Sequence, residues 1–101
     1  MTLVAVLRVR PQALEEFRAF ERQAAGIMSG YGGRIERAVL IPPQPGEDFL
    51  REVHIVSFPD AEALQSYRAD PRLAALASVR QRCVLGSELW IGEDGPDYGT
   101  G

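Results

Sequence analysis

Cysteine is nearly absent: Cys83 stands alone among 101 residues, so no disulfide can close within the chain. His54 is likewise the only histidine, and no Cys/His group has metal-ligand spacing, so no metal is expected. The expected compartment is the reducing cytoplasm, with Cys83 acting as a small buried hydrophobe. Charge of one sign is scarce too. Lys and Arg number 11 against 14 Asp and Glu, a formal charge of −3 without any basic cluster, which leaves no electrostatic footprint for a nucleic-acid backbone. Long apolar runs are missing, since no window approaches the ~20 residues of a membrane span. "MTLVAVLRVRP" is apolar only from Leu3 to Leu7, with no basic region before that stretch and no small-residue cleavage site after it, so it reads as a strand and not a leader. Neither nucleic acid nor membrane is an expected partner. Phosphate-cradling glycines are also lacking: "YGGR" at 31 to 34 has no following Lys-Ser/Thr and no G-x-G-x-x-G spacing. No serine sits in a nucleophile-elbow context, so neither a nucleotide cofactor nor that kind of hydrolase chemistry has support, and no cofactor is expected.

What is present has ordinary globular composition, 46% hydrophobic and 25% charged, and enough length for one domain around one core. "LVAVLRV" at 3 to 9 is a strand apolar on both alternating faces until Arg8. Pro11 suits the first turn of a helix, and residues 12 to 28 follow with helical periodicity. At ~100° per residue, Ala13, Leu14, Phe17, Phe20, Ala24, Ile27 and Met28 share an arc of about 140°, opposite Glu15, Arg18, Arg22 and Gln23. "SGYGGR" ends the helix with glycines able to adopt positive φ, and "RIERAVLI" at 34 to 41 alternates as a second strand. "PPQPGEDF" at 42 to 49 must be loop, because three prolines remove ladder donors, and "REVHIVSF" at 51 to 58 is the third strand. Asp60 caps a helix over 61 to 69, and Asp70 before Pro71 caps a second piece over 71 to 82. "VLGSELWI" at 84 to 91 is the fourth strand. The domain is expected to span residues 1–92, with 93–101 a flexible C-terminal tail.

The order β-α-β-β-α-β with right-handed crossovers gives an α+β, ferredoxin-like domain: a four-stranded antiparallel sheet with both helices on one face. One sheet face then lacks a cover, yet the strands are apolar on both parities: Leu3, Ala5 and Leu7 against Val4 and Val6, and Leu85, Leu89 and Ile91 against Val84 and Trp90. The cheapest cover is a second copy. Burying ~800 Å² per partner at ~25 cal/mol/Å² offers gross stabilisation on the order of 20 kcal/mol before ordering costs. The expected partner is therefore the chain itself, as a homodimer joined sheet face to sheet face.

"YGGRIERA" and "SFPDAEALQSYRADPRLAALASVR" carry a family pattern: Tyr31, Gly32, Gly33 and Arg34, then Phe58, Pro59, Tyr67, Asp70, Pro71, Leu76 and Arg80. On these residues the chain, over roughly 3 to 92, resembles short bacterial proteins of the domain-of-unknown-function 1330 type. That family looks like part of the dimeric α+β barrel superfamily, which also includes the antibiotic-biosynthesis monooxygenases. The resemblance implies the same fold and dimer, and substrates or haem between sheet and helices, without fixing an activity. "EVH" at 52 to 54 and the 42 to 50 loop fall outside the family pattern.

His54 and Arg80 are the catalytic candidates. His54, mid-strand with the parity of Val56 and Phe58, reads as a general base near neutral pH, a haem ligand, or a structural or dimer-facing histidine. Arg80 falls between Leu73 and Leu76 on the helix arc, on its apolar face, and needs either a carboxylate such as Glu88 or Glu52, or an anionic ligand. Arg68 is expected to be exposed near the Asp70 break. Tyr31, Tyr67 and Trp90 are the ligand-binding candidates if the helix break opens a pocket, and core aromatics otherwise. Two functions remain. One is a small-molecule-binding homodimer with cofactor-free monooxygenase- or isomerase-like chemistry, and the other is a dimeric scaffold or interaction module in which these side chains only satisfy the core.

Overall fold

The computed structural model describes residues 1–99. The elements in order are β1 (Thr2–Val9), a 3-10 turn (Pro11–Ala13), α1 (Leu14–Ser29), β2 (Arg34–Ile41), β3 (Leu50–Ser57), α2 (Ala61–Arg68), α3 (Pro71–Ala74), α4 (Ala77–Cys83) and β4 (Val84–Gly92). The strands form one antiparallel sheet in the order β2-β3-β1-β4, which with the helices is the ferredoxin-like α+β fold.

Register assigns the faces. Leu3 pairs with Val56, Ala5 with His54, Leu7 with Glu52 and Val9 with Leu50, and these residues point toward the helices. By alternation Val4, Val6, Val53 and Ile55 point away, joined by Val39 opposite Val53 and Trp90 opposite Val4. Under the helices the core divides in two. Leu7, Val9, Phe17, Phe20, Leu50, Cys83 and Val84 fill one end, while Leu3, Met28, Val56, Phe58 and Leu64 fill the other. Along β3 the polar pair Glu52 and His54 falls between Leu50 of the first cluster and Val56 of the second. Along α1, Glu21 and Ala24 fall between Phe20 and Met28 in the same way.

The second helical region is broken at Asp70–Pro71 as the sequence implies. Asp60 accepts from the Ala63 N–H at 2.8 Å to open α2, and Asp70 accepts from the Arg72 N–H at 2.8 Å to open α3. The piece expected over 71 to 82 is itself divided. Leu76 donates to the Leu73 carbonyl at 3.0 Å, a tighter turn that separates α3 from α4 with neither proline nor glycine to announce it. In the YGGR turn only Gly32 has positive φ, at 75°. Gly33 is required for another reason, since a Cβ there would lie 2.5 Å from the Phe58 ring and 2.6 Å from Met28. Beyond β4, Thr2 donates to Asp94 at 2.6 Å and residues up to Gly99 have no regular structure. The last two positions of the expected tail lie outside the described residues.

Candidate functional site

His54 rises from the middle of β3 and is only 4% exposed. Its Nε2 lies 2.7 Å from Glu52 Oε1 and its Nδ1 3.9 Å from Glu21 Oε2. A carboxylate only accepts, so with Glu52 ionised Nε2 carries a proton, and Nδ1 faces Glu21 across a gap too long for a hydrogen bond. Among the described residues no three His, Cys, Asp or Glu side chains are arranged to hold a metal ion.

Glu21 continues this line outward. It reaches from α1 between the buried Phe20 and Ala24, and no hydrogen bond to its carboxylate exists among the described residues. Burial pushes its carboxyl above the ordinary glutamate range, the charges of His54 and Arg80 oppose that rise, and Glu52 adds to it. Its side chain borders a cavity of about 310 Å³ between α1 and the α2–α4 segment. The apolar wall is Phe20, Ala24, Leu73, Leu76 and Ala77, and the polar groups that converge on the space are Glu21, Tyr67 and Arg80. Arg68 also borders the cavity and is exposed, as its place near the break implies.

Tyr67 packs its ring against Phe58 and Tyr31, with centroids 5.6 and 6.5 Å away. Burial pushes its phenol up to about 12, Glu21 adding and Arg80 opposing, so at neutral pH it is an O–H donor. Arg80 is exposed at the mouth of the cavity and donates to Ser87 Oγ at 2.9 Å. It pairs with neither expected carboxylate. Glu88 pairs with Val6 on the opposite face of the sheet, and Glu52 is engaged by His54.

Of the five candidates, Tyr67 and Arg80 line the cavity and His54 lies behind Glu21. Tyr31 sits elsewhere: its hydroxyl donates to Asp70 at 2.6 Å, which locks the helix break to the second core cluster. Trp90 is not part of the cavity either, because alternation along β4 turns it to the outer face, 57% exposed. Glu21 is not among the residues the sequence singles out, and Glu52, expected as a partner of Arg80, is paired with His54 instead. The signal was present: at ~100° per residue Glu21 falls between Met28 and Leu14, inside the apolar arc of α1, and Glu52 shares the strand parity of His54.

No protein-family model and no curated protein matches the chain. Among solved structures, a protein of unknown function from Rhodopseudomonas palustris is 23% identical with a TM-score of 0.74, covering 94% of this chain and 82% of the other. SnoaB, a cofactor-independent oxygenase from Streptomyces nogalater, is 19% identical with a TM-score of 0.64, covering 93% of each chain. A putative antibiotic biosynthesis monooxygenase from Bacteroides thetaiotaomicron is 15% identical with a TM-score of 0.66, covering 99% of this chain and 93% of the other. The likeness is one of fold. The ferredoxin-like neighbours thus include antibiotic-biosynthesis monooxygenases beside proteins of unknown function, and no helix among the described residues is long and apolar enough to cross a membrane.

Proposed function

We propose that the chain is a homodimer that binds a small organic molecule between helices and sheet and acts on it as a cofactor-free, monooxygenase- or isomerase-like enzyme. One observation carries this reading: a cavity of about 310 Å³ on which converge a phenol O–H and, among the described residues, a guanidinium with no carboxylate partner and a carboxylate with no hydrogen bond. Polar groups kept only for packing satisfy one another, whereas among the described residues Glu21 and the Tyr67 hydroxyl have no hydrogen-bond partner and Arg80 bonds only Ser87. The volume is at the low end for ligand sites and suits a molecule of one or two rings. The fold shared with SnoaB supports cofactor-free chemistry by analogy alone. The Tyr31–Arg34 and Phe58–Pro71 motifs support placing the chain with the short bacterial proteins of the 1330-type domain of unknown function.

The homodimer is supported by the outer sheet face, where Val4, Val6, Val39, Val53, Ile55 and Trp90 form an apolar surface that no helix covers. The ligand reading is tested by thermal-shift screening of one- and two-ring aromatic ketones, phenols and acids. Compounds that stabilise the wild type and lose that effect in Ala77→Phe, which fills the cavity from its exposed side, are the expected result. A screen with no such compound leaves the scaffold reading in its place.

A further inference from the structure

The polar groups around the cavity point to a specific chemistry, one that rests on the ligand-binding function proposed for that space. We infer that Glu21 is the proton-accepting residue of the site and that the substrate is an enolisable carbonyl compound whose oxygen lies against Arg80 and the Tyr67 hydroxyl.

Three observations converge. First, Glu21 occupies a position on the apolar arc of α1, between buried Phe20 and Ala24, where an aliphatic side chain would be cheaper. Its side chain is 17% exposed, and that remaining exposure borders the cavity. Second, a carboxylate–histidine pair stands behind it: Glu52 holds His54 Nε2 at 2.7 Å, which turns Nδ1 toward Glu21. Third, the donors on the cavity wall, Arg80 and Tyr67, are groups that stabilise an oxyanion. Among the described residues no serine, cysteine or lysine lines the space, so it offers a base and an oxyanion clamp without a covalent nucleophile.

The step balances within those groups. The C–H bond next to the substrate carbonyl breaks and its proton passes to a Glu21 carboxylate oxygen. The bonding pair becomes the C=C of an enolate as the carbonyl π electrons move onto oxygen, facing Arg80 and Tyr67. In a β,γ-unsaturated substrate the enolate is a dienolate, and return of the proton from Glu21 to its γ carbon moves the C=C into conjugation with the carbonyl and restores the base. One negative charge crosses the cavity toward the guanidinium, and nothing is oxidised or reduced. His54 is a positioning residue here, acting from behind Glu21 through its charge, which opposes the rise that burial imposes on the carboxyl.

4-Nitrophenol, whose phenolate mimics the enolate and absorbs in the visible, serves as the probe on the full chain. In wild type, ionised Glu21 repels the phenolate, so affinity, expressed per phenolate present at each pH, falls as pH rises through the Glu21 titration. Glu21→Gln mimics the protonated acid; it is expected to bind phenolate at least tenfold tighter at alkaline pH and to lose that fall. Arg80→Ala is expected to weaken binding at least tenfold in either background. The groups facing Glu21 are His54 and Glu52 from β3, Arg80 from α4, and Tyr67 and Arg68 across the cavity from α2. Because His54 lowers the Glu21 carboxyl, His54→Gln is expected to move the fall in affinity to higher pH, a displacement that a merely structural histidine would not produce. Should the glutamine variant fail to fold, Glu21→Ala gives the same direction. Equal phenolate binding by wild type and Glu21→Gln, with loss in Arg80→Ala, overturns the proton-acceptor role while the ligand reading stands. Absence of phenolate binding in both overturns this inference, and the Ala77→Phe screen then judges the cavity separately.

Discussion

Asp70 concentrates more bonding than any other carboxylate described. It accepts from the Tyr31 hydroxyl at 2.6 Å, from the Arg72 guanidinium at 2.9 Å and from the Arg72 N–H at 2.8 Å. The Arg72 side chain first, and Tyr31 second, hold its carboxyl far below the usual aspartate range. A depressed folded-state value contributes stability that is present above the unfolded value of about 3.8 and lost as pH falls below it. Asp70→Asn should therefore lower the urea midpoint at pH 7 and show a shallower decline below pH ~4 than wild type. Glu21 has the opposite sign. Its carboxyl is raised by burial, so the ionised form destabilises the fold above its folded-state value and has no such effect below the ordinary 4.5. Glu21→Gln should raise the melting temperature at neutral pH and lose that advantage as the medium is acidified below ~4, the pattern of a residue kept for function at the expense of stability. A lower melting temperature at neutral pH would instead make Glu21 a structural partner of His54.

At the scale of the elements, α1 joins both core clusters and positions Glu21 between them. Phe17, in the first turn of α1, is 0% exposed, and Phe17→Ala should cost about 3–5 kcal/mol in chemical denaturation by leaving a cavity. Two glycines flank this behaviour with opposite expectations. A Cβ on Gly26, within α1, meets nothing within 4 Å, so Gly26→Ala should stabilise the protein by about 0.5–1 kcal/mol. Gly33, at the entry to β2, has no room beside Phe58 and Met28, so Gly33→Ala should destabilise by about 1–3 kcal/mol despite a backbone any residue can adopt. The jointed α2–α4 segment answers to the cavity. Its breaks at Asp70–Pro71 and at Ala75–Leu76 bend the segment so that Tyr67, Leu73, Leu76 and Arg80 all border one space, which a single straight helix would not allow.

For the whole molecule the deciding feature is the outer face of the sheet. Val53 lies near its centre between Val6 and Val39, and Trp90 projects from its β4 side. Sedimentation velocity at micromolar concentration should give a two-subunit species for wild type and a single subunit for Val53→Asp, since an unpaired carboxylate inside a closed sheet-to-sheet contact is costly. Wild type sedimenting as one subunit would leave the two-faced strands without the partner proposed for them.

Local pattern was enough to set out the order of elements, the cap and break at Asp70, the strand parity of His54 and the apolar character of both sheet faces. Those features depend on neighbours three or four positions away on a helix, or two away on a strand, and the chain carries them wherever it folds. Periodicity names a face within one element, but it does not say which faces meet. Only the packing of α1 over β3 brought Glu21 to His54, and only register across β1 put Trp90 and Glu88 on the side away from Tyr67 and Arg80. A glutamate on an apolar arc reads as an exception until the group opposite it is known, because the energy of a buried charge is set by its partner across the core and not by its place in the chain.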